Sequence, residues 1–358
     1  MKVAIIARST LYTVPGGDTV QALQTAKFLA CSGIDADVLL SNSAIVYEQY
    51  NLLHFFNITR PADMLYHSKK AGKPFVVSTI LVNYSEYDKN YREGIGKIFS
   101  YFTADNIEYL KTVARWLLGR DHLSGISYLW KGQRRSIVEI LKKTAMILPN
   151  STSEYNRLIN HYSYKPACSV VPNGVNPALF NYDCNFKKNE LLVLCVARIE
   201  GRKNQLGLIQ ALNNTRFKVL LIGSPAPNQN RYYRQCRNEA AANISFINHV
   251  PQKELVKYYQ QAKVHVLPSW FETTGLSSIE AGVMGCNLVI TDKGDTAEYF
   301  GNDAFYCDPS SPKSILKAVE QASIAPPNVK LRKRILEKFT WEQAALQTRK
   351  AYQSAISI

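Results

Sequence analysis

The sequence contains no long hydrophobic run, since no window approaches the roughly 18 consecutive apolar residues that span a bilayer. Met1-Lys2 leads directly into a short apolar strand, without the small-residue cleavage site of a signal peptide. The seven cysteines are an odd number and include no Cys-x-x-Cys pair, which favours free thiols in a reducing compartment over disulfides or a zinc site. We therefore expect a cytoplasmic protein and leave open a peripheral position at the inner face of the membrane.

Acidic residues are few compared with basic ones: 28 Asp and Glu stand against 43 Lys and Arg, a net charge of +15. This excess favours polyanionic partners such as lipid phosphates or nucleotides. Because no recognition helix or aromatic RNA-binding motif is present, we expect no nucleic-acid partner. With 46% hydrophobic residues, 15 Pro and 18 Gly in 358 residues, the chain is neither collagen-like nor largely disordered, and its length predicts two domains.

Short, unbroken apolar runs alternate with helical patterns in both halves of the chain. In the first half, strands are predicted at 3–7, 36–40, 52–56, 75–77, 145–148 and 169–171. After a polar stretch the second half restarts, with strands predicted at 191–196, 217–222, 244–247, 264–267 and 288–290. Because unbroken Val/Ile/Leu runs indicate strands that are buried on both faces, we predict an α/β fold of two Rossmann-like domains facing across a cleft.

Residues 84–143 interrupt the first alternation with an aromatic and basic stretch. The part from Lys111 to Lys143 has eight basic residues against Asp121 and Glu139, with tryptophan, tyrosine and leucine among them. Two interpretations have equal weight: an amphipathic surface that touches anionic lipid, or a pair of helices with solvated charges and a core-facing stripe.

The segment after the strand at 264–267 opens a helix. Free N–H groups around Thr274, Gly275 and Leu276, together with the helix dipole, favour an anion such as a phosphate. Two carboxylates accompany this turn, Glu272 before it and Glu280 one helical turn beyond it, and carboxylates accept hydrogen bonds from sugar or ribose hydroxyls. Taken singly, Glu272 also fits a loop charge and Glu280 a solvated helix residue.

A basic pair follows the first strand of the second half. Arg198 at the strand end and Lys203 at the next helix start can both reach a diphosphate, Arg as a planar fork and Lys as a point charge. Two fixed cations would stabilise a departing nucleoside diphosphate, and an exposed basic turn is the alternative. In the first half, Gly16 and Gly17 allow the backbone to approach a phosphate or sugar closely. The fingerprint Gly-x-Gly-x-x-Gly is absent, which argues against a dehydrogenase.

Several motifs occur together and in a consistent order: Val171–Asn176, the segment at 197–204 with its basic pair, and a Glu-x7-Glu span from Glu272 to Glu280. In this combination the chain resembles the retaining GT-B glycosyltransferases of the fourth family, which include enzymes of bacterial surface-glycan assembly. The resemblance covers nearly the whole chain and is specific from about 170 to 309. It implies an acceptor-side domain at 1–180, a donor-binding domain at 181–339 and a final helix at 340–358 that packs back onto the first domain.

The resemblance also implies roles for individual residues. It places the cations of Arg198 and Lys203 on the donor diphosphate, Glu272 near the donor sugar and Glu280 on the ribose hydroxyls. The backbone of Thr274, Gly275 and Leu276 faces the β-phosphate and sugar, and Gly16 and Gly17 close over the donor. We therefore expect Arg198, Lys203 and Glu272 to be catalytic, with a UDP- or GDP-linked sugar as substrate and without a metal or cofactor.

The acceptor side departs from the resemblance. Many relatives carry a histidine just after the strand that corresponds here to 75–79, whereas this sequence continues to Asn83 and Tyr84 without one. Either these two residues take over sugar contacts or the acceptor side is built differently. Asn57 and Arg60, which follow another strand, are further acceptor-side candidates; a helix cap at Thr59 with a surface Arg60 is the alternative.

These observations predict a retaining glycosyltransferase that moves a hexose or N-acetylhexosamine from a nucleoside-diphosphate sugar to a glycan or lipid-linked acceptor. Two alternatives stay open. A nucleotide-sugar epimerase of the same fold would convert the donor without an acceptor, although the candidate acid/base groups Asp18 and Glu86 lie outside recognisable motifs. A noncatalytic nucleotide- or glycan-binding partner subunit is the other alternative, because the usual histidine is missing.

Overall fold

The computed structural model describes residues 1–83, 85–90, 103–119, 123, 125 and 127–357. Within these residues the chain forms two compact units. The first is made of Met1–Lys89, the described part of Glu93–Asn173, and Trp341–Ile358; the second contains Gly174–Thr340. The boundary thus lies after Asn173 and not after residue 180, because Phe180 is part of the second unit's core and the Val175 N–H donates to the Phe339 carbonyl at 2.9 Å.

The first unit is built on parallel strands. These are β1 Lys2–Ala7, β2 Asp35–Leu40, β3 Leu52–Phe56, β4 Phe75–Ser78 and β5 Met146–Ile147. Over the described residues they form one sheet in the order β2-β1-β3-β4-β5. The strand predicted at 169–171 is wrong. That segment follows an isolated bridge between Cys168 and Ile147. The Val171 N–H still donates to the Pro149 carbonyl at 2.9 Å, but Pro149 has no N–H to donate in return, so the ladder is interrupted.

The described helices that accompany this sheet along the chain are α1 Gly17–Cys31, α2 Pro61–Ala71, α3 Ser85–Asn90, α4 Ala104–Leu117, α5 Ser127–Lys143 and α6 Thr152–Tyr162. The chain's last helix, Trp341–Ile356, also packs here, against α1 and β4. Its Tyr352 hydroxyl lies 2.7 Å from Nδ1 of the buried His54 in β3. Trp341 is itself buried, so this helix contributes to the core of the first unit.

The second unit has a parallel sheet of its own. Its strands are β6 Asn189–Val196, β7 Lys218–Ile222, β8 Ile244–Ile247, β9 Ala262–Leu267, β10 Asn287–Thr291 and β11 Phe305–Cys307. Among the described residues the order is β11-β10-β9-β6-β7-β8. The second unit has two hydrophobic clusters, and successive residues of β6 pack in different ones. Leu194 packs with Leu288 in the first cluster, and Val193 packs with Leu221 in the second. The sheet is therefore buried on both faces, as its unbroken apolar runs predict.

The helices of the second unit are α7 Gln205–Leu212, α8 Asn230–Glu239, α9 Gln252–Gln261, α10 Leu276–Val283, α11 Thr296–Phe300, α12 Pro312–Ile324 and α13 Val329–Lys338. The final helix Trp341–Ile356 is α14. In the part of the chain that is described, no helix has the length and apolar content required to cross a bilayer. All seven cysteines lie in this part, and each has a free thiol.

Candidate functional site

The loop after β6 is held in a fixed conformation that presents Lys203. Gly201–Lys203 forms a single helical turn, and Asn204 closes it with a left-handed φ of 56°. The Asn204 side chain donates to the carbonyl of Pro309 at 2.7 Å, which anchors this turn to another loop of the second unit. Lys203 is therefore displayed from an ordered turn at the carboxyl end of β6, the edge where ligands of parallel sheets bind.

Lys203 and Glu272 form an ion pair at this edge. The strands that precede them, β6 and β9, are neighbours in the sheet, and Nζ of Lys203 donates to Oε1 of Glu272. Only 19% of the lysine side chain and 9% of the glutamate side chain are exposed. Neither residue is thus a solvated loop charge. Partial burial weakens solvent screening, so this pair is an electrostatically strong group at the ligand-binding edge.

The backbone of Glu272 is fixed by the turn after β10. Its N–H donates to the carbonyl of Lys293 at 3.1 Å, and its carbonyl accepts from the N–H of Asp295 at 2.8 Å. Gly294 between them has a φ of +107°, and a Cβ there would lie 2.0 Å from the Glu272 carbonyl oxygen. Only glycine fits this contact. Sequence reasoning missed Gly294, although a Gly-Asp pair four residues after the predicted strand at 288–290 is a recognisable turn signal.

The turn before α10 has the geometry of an anion site. Gly275 adopts a φ of +70° and its carbonyl accepts from the N–H of Ser278 at 2.8 Å. The hydroxyl of Thr274 donates to the Tyr299 hydroxyl at 3.2 Å, which holds the turn against α11. The first amides of α10, beginning with Leu276, have no carbonyl one turn earlier within the helix. Such amides and the helix dipole favour a phosphate at this end.

Glu280 points into the second unit, and only 7% of it is exposed. Its Oε1 accepts from the Gln252 amide at 2.7 Å and its Oε2 from the Tyr259 hydroxyl at 3.0 Å. Burial raises the pKa of Glu280 from the ordinary 4.5 to about 7, although both hydrogen bonds favour the ionised form. The alternative of a solvated helix residue is therefore wrong. Sequence reasoning missed Gln252 and Tyr259, which lie in α9, 28 and 21 residues before Glu280 along the chain.

Arg198 lies at the end of β6, where the sequence places it. Its side chain is 43% exposed, and its Nη2 lies 3.3 Å from Oε1 of Glu200. The Gln205 side chain donates to the Arg198 carbonyl at 2.9 Å and fixes the backbone. The structure thus pairs Lys203 with Glu272, and Arg198 with Glu200.

Among the described residues, no group of three His, Cys, Asp or Glu side chains is placed to hold a metal ion.

In the first unit, the glycine pair precedes and begins α1. Gly16 caps the helix with a φ of −148°, an extended conformation that any residue adopts, and its N–H donates to the Thr19 hydroxyl at 3.0 Å. Arg8, which sequence reasoning did not select, orders this loop. Its guanidinium binds Asp18 through Nε at 2.6 Å and Nη2 at 3.1 Å, and also donates to the Val14 carbonyl at 2.6 Å.

The four acceptor-side candidates have different settings. Asn57 follows β3 with a φ of 71°, and its Oδ1 accepts from the Thr59 hydroxyl at 2.6 Å. The predicted cap at Thr59 is wrong: Arg60 is the capping residue of α2, because Pro61 occupies the first helical position. Asn83 is exposed. Tyr84 lies outside the described residues.

Comparison with known proteins adds a family match and a fold match. Residues 183–338 match the family model described as Glycosyl transferases group 1. The chain is 28% identical over 229 residues to a probable sucrose-phosphate synthase of Thermosipho melanesiensis, covering 57% of this chain and 53% of that protein. It is 24% identical over 242 residues to the O-antigen chain mannosyltransferase B of Escherichia coli, covering 61% of this chain and 63% of that protein. The chain thus spans less than two thirds of these relatives' lengths.

Solved structures resemble the chain over its whole length. The sucrose-phosphate synthase of Thermosynechococcus elongatus superposes with a TM-score of 0.74 at 17% identity, covering 100% of this chain and 99% of that one. Anabaena HepE in complex with UDP and glucose has a TM-score of 0.73 at 14% identity, covering 99% of this chain and 100% of that one. At such identities the likeness concerns the fold. It confirms the predicted α/β class with two Rossmann-like domains of GT-B type.

Proposed function

We propose that this chain, in which residues 183–338 belong to the glycosyltransferase group 1 family, is a retaining glycosyltransferase. It moves a hexose or N-acetylhexosamine from a UDP- or GDP-linked sugar to a glycan or lipid-linked acceptor, as part of bacterial surface-glycan assembly. The observation that carries this proposal is the shielded pair of Lys203 and Glu272 beside the first turn of α10. A cation, helix amides and a carboxylate at one sheet edge match a substrate with phosphates and sugar hydroxyls.

In this proposal the second unit binds the donor. Lys203 and Arg198 neutralise the diphosphate, and the amides that begin at Leu276 contact its β-phosphate. Glu272 orients the sugar hydroxyls, while Glu280 accepts from the ribose. The first unit supplies the acceptor side and the backbone of Gly16 and Gly17. The φ of Gly16 is one that any residue can adopt, so the backbone conformation does not require glycine there. What glycine offers at this position is the absence of a side chain, which permits close approach of a ligand.

The reaction needs one bond exchange and one proton transfer. The bond between the anomeric carbon and the β-phosphate oxygen breaks, and the acceptor hydroxyl oxygen bonds to the same face of the anomeric carbon. The acceptor proton passes to the leaving phosphate oxygen. Negative charge grows on the diphosphate as the bond breaks, so cations already in place at Lys203 and Arg198 stabilise the transition state more than the ground state.

A panel of donors tests the proposal. UDP-, GDP- and ADP-linked glucose, mannose and N-acetylglucosamine are compared by thermal unfolding, and a true donor at 100 times its Kd should stabilise the chain by about 2.7 kcal/mol. With that donor and an octyl glycoside of the same three sugars, we expect release of nucleoside diphosphate and an elongated product whose new bond keeps the donor's anomeric configuration. Mass spectrometry and NMR identify the product.

The same panel separates the alternatives. An epimerase would convert the donor sugar when no acceptor is present, and a noncatalytic subunit would bind nucleotide without turnover. Failure of every donor to stabilise the chain, or a product with inverted configuration, would contradict the retaining transferase.

A lipid-linked acceptor agrees with an apolar and basic surface on the first unit. Helix α4 ends in Trp116 and Leu117, which are 39% and 71% exposed, and Leu118 follows at 64%. Trp130 in the adjacent α5 is 80% exposed, and the Tyr109 hydroxyl fastens the two helices by donating to the Leu129 carbonyl at 2.9 Å. Exposed tryptophan beside basic side chains suits the interface of an anionic bilayer. We propose that this surface holds the chain at the membrane.

Replacing Trp116, Leu117 and Trp130 together with serine is expected to reduce binding to anionic vesicles. Burial of each such side chain contributes about 1.5–3 kcal/mol, so removing three of them should lower the partition coefficient at least ~1,000-fold. Co-sedimentation with vesicles of phosphatidylcholine containing phosphatidylglycerol measures it. The control replaces Ile324 and Val329 with serine, since these are 79% and 75% exposed but lie in the second unit. Equal binding of wild type and the triple variant would refute the membrane role.

A further inference from the structure

A buried carboxylate in the first unit has no part in the donor chemistry. Glu154 lies in the first turn of α6 and is fully buried. Its Oε1 accepts from the Thr79 hydroxyl and from the Leu81 N–H at 2.6 Å, and its Oε2 accepts from the Asn150 N–H at 2.9 Å. Three donors on one carboxylate make strong, charge-assisted bonds. Such a cluster fixes the groups around it.

The segment that Glu154 fixes is the one that follows β4. Ile80 there has a φ of +47°, a left-handed conformation that a β-branched residue rarely adopts. Helix α6 holds this strained turn from two sides: Glu154 binds the Leu81 N–H, and the Arg157 guanidinium donates to the Leu81 carbonyl at 3.0 Å. Without these bonds the turn would relax to an unstrained conformation. The backbone conformation of residues 79–83 is therefore fixed by contacts with α6.

The same network reaches the loop after β1. The side chain of Asn150, whose N–H is bound to Glu154, accepts from the Gln21 amide at 2.8 Å. Gln21 belongs to α1, the helix that begins at the glycine pair. Glu154 thus links segments that follow β1, β4 and β5, at the carboxyl edge of the parallel sheet. This edge is where such sheets bind ligands.

We propose that Glu154 is a positioning residue that sets the 79–83 segment for recognition of the acceptor's hydroxyl groups, an inference that rests on the proposed function. The segment carries the exposed Asn83, whose amide both donates and accepts hydrogen bonds and so suits a sugar hydroxyl. Glu154 itself is sealed from solvent and acts only through the loop. Its charge therefore affects where the acceptor binds and leaves the donor site of the second unit unchanged.

Glu154→Gln tests this inference. Glutamine keeps the shape of the side chain, but its NH₂ group replaces one carboxylate oxygen and cannot accept the hydrogen bonds that this oxygen accepts. We expect the KM for the octyl glycoside that wild type uses fastest to rise about 10- to 100-fold, the loss typical of a charged hydrogen bond. The Kd of the nucleoside diphosphate and the rate of donor hydrolysis by water should change less than about 2-fold. Glu139→Gln is the matched control, since this carboxylate pairs with Lys131 and Lys143 on α5.

The possible results separate failure of this inference from failure of the proposed function. An unchanged acceptor KM in folded Glu154→Gln overturns the inference, and so does an equal loss of donor affinity, which indicates general damage. Should Glu154→Gln fail to fold, Thr79→Val removes one of the three bonds and must raise the acceptor KM in the same direction. A wild-type chain that binds no nucleoside diphosphate or glycosylates none of the octyl glycosides contradicts the proposed function instead.

Discussion

Replacing Lys203 with alanine is expected to lower the rate of sugar transfer by about 100- to 1,000-fold, the usual cost of removing one preorganised group that stabilises transition-state charge. The lysine is held by an ordered turn and shielded by its pairing with Glu272, so its charge is fixed in place before the reaction begins. Steady-state release of nucleoside diphosphate measures the effect. Lys257→Ala is the control, because that lysine is 58% exposed on α9 and makes a solvated contact with Glu254.

The same substitution also removes the cation that faces Glu272. A carboxylate whose side chain is 9% exposed is then left without this partner, which should lower the free energy of unfolding by about 2–3 kcal/mol. The double variant Lys203→Met with Glu272→Gln removes both charges and should recover most of that stability. We expect its transfer rate to stay low. Recovery of transfer together with stability would mean that the pair supports the fold and not the reaction, and wild-type activity in Lys203→Ala would remove Lys203 from the mechanism.

The sheets could be predicted from sequence because their strands are unbroken apolar runs. β3 at Leu52–Phe56 and β8 at Ile244–Ile247 coincide with their predicted ranges, and most other strands differ by one or two residues at an end. β11 escaped prediction because three residues, Phe305–Cys307, carry too little pattern. The segment at 169–171 is apolar enough for a strand, but its hydrophobicity does not report that it lies beside Pro149, which has no N–H for the ladder.

The candidate site was predictable by residue type but not by contact. Lys203 and Glu272 are 69 positions apart, and their pairing depends on β6 and β9 being neighbours, which the strand order along the chain does not indicate. The burial of Glu280 depends on α9, whose Gln252 and Tyr259 show no sign in the sequence of facing a carboxylate. Periodicity places a side chain on a face, and tertiary packing decides what it meets.

Glu280→Gln is expected to change the pH dependence of stability by about 3 kcal/mol. Burial raises the pKa of Glu280 in the folded chain to about 7, against an ordinary 4.5. Between these values the folded chain holds a proton that the unfolded chain has lost, so the free energy of unfolding falls as the pH rises from about 4.5 to 7. Glutamine has no such proton. Urea unfolding at pH 5, 6, 7 and 8 should therefore show the variant gaining stability relative to wild type through this window, whereas Glu254→Gln on the exposed side of α9 should not.

Donor binding should show the opposite trend with pH. If the ionised Glu280 accepts from the ribose hydroxyls, only the deprotonated fraction binds well, and this fraction rises about tenfold between pH 6 and pH 8 for a pKa near 7. The Kd of the nucleotide sugar, which unlike a free nucleoside diphosphate has no terminal phosphate to titrate, should tighten by that factor in wild type and stay flat in Glu280→Gln. If the Kd changed with pH in the same way in wild type and in Glu280→Gln, another residue would bind the ribose. A carboxylate that contacts the hydroxyls must change the affinity when it gains or loses its proton.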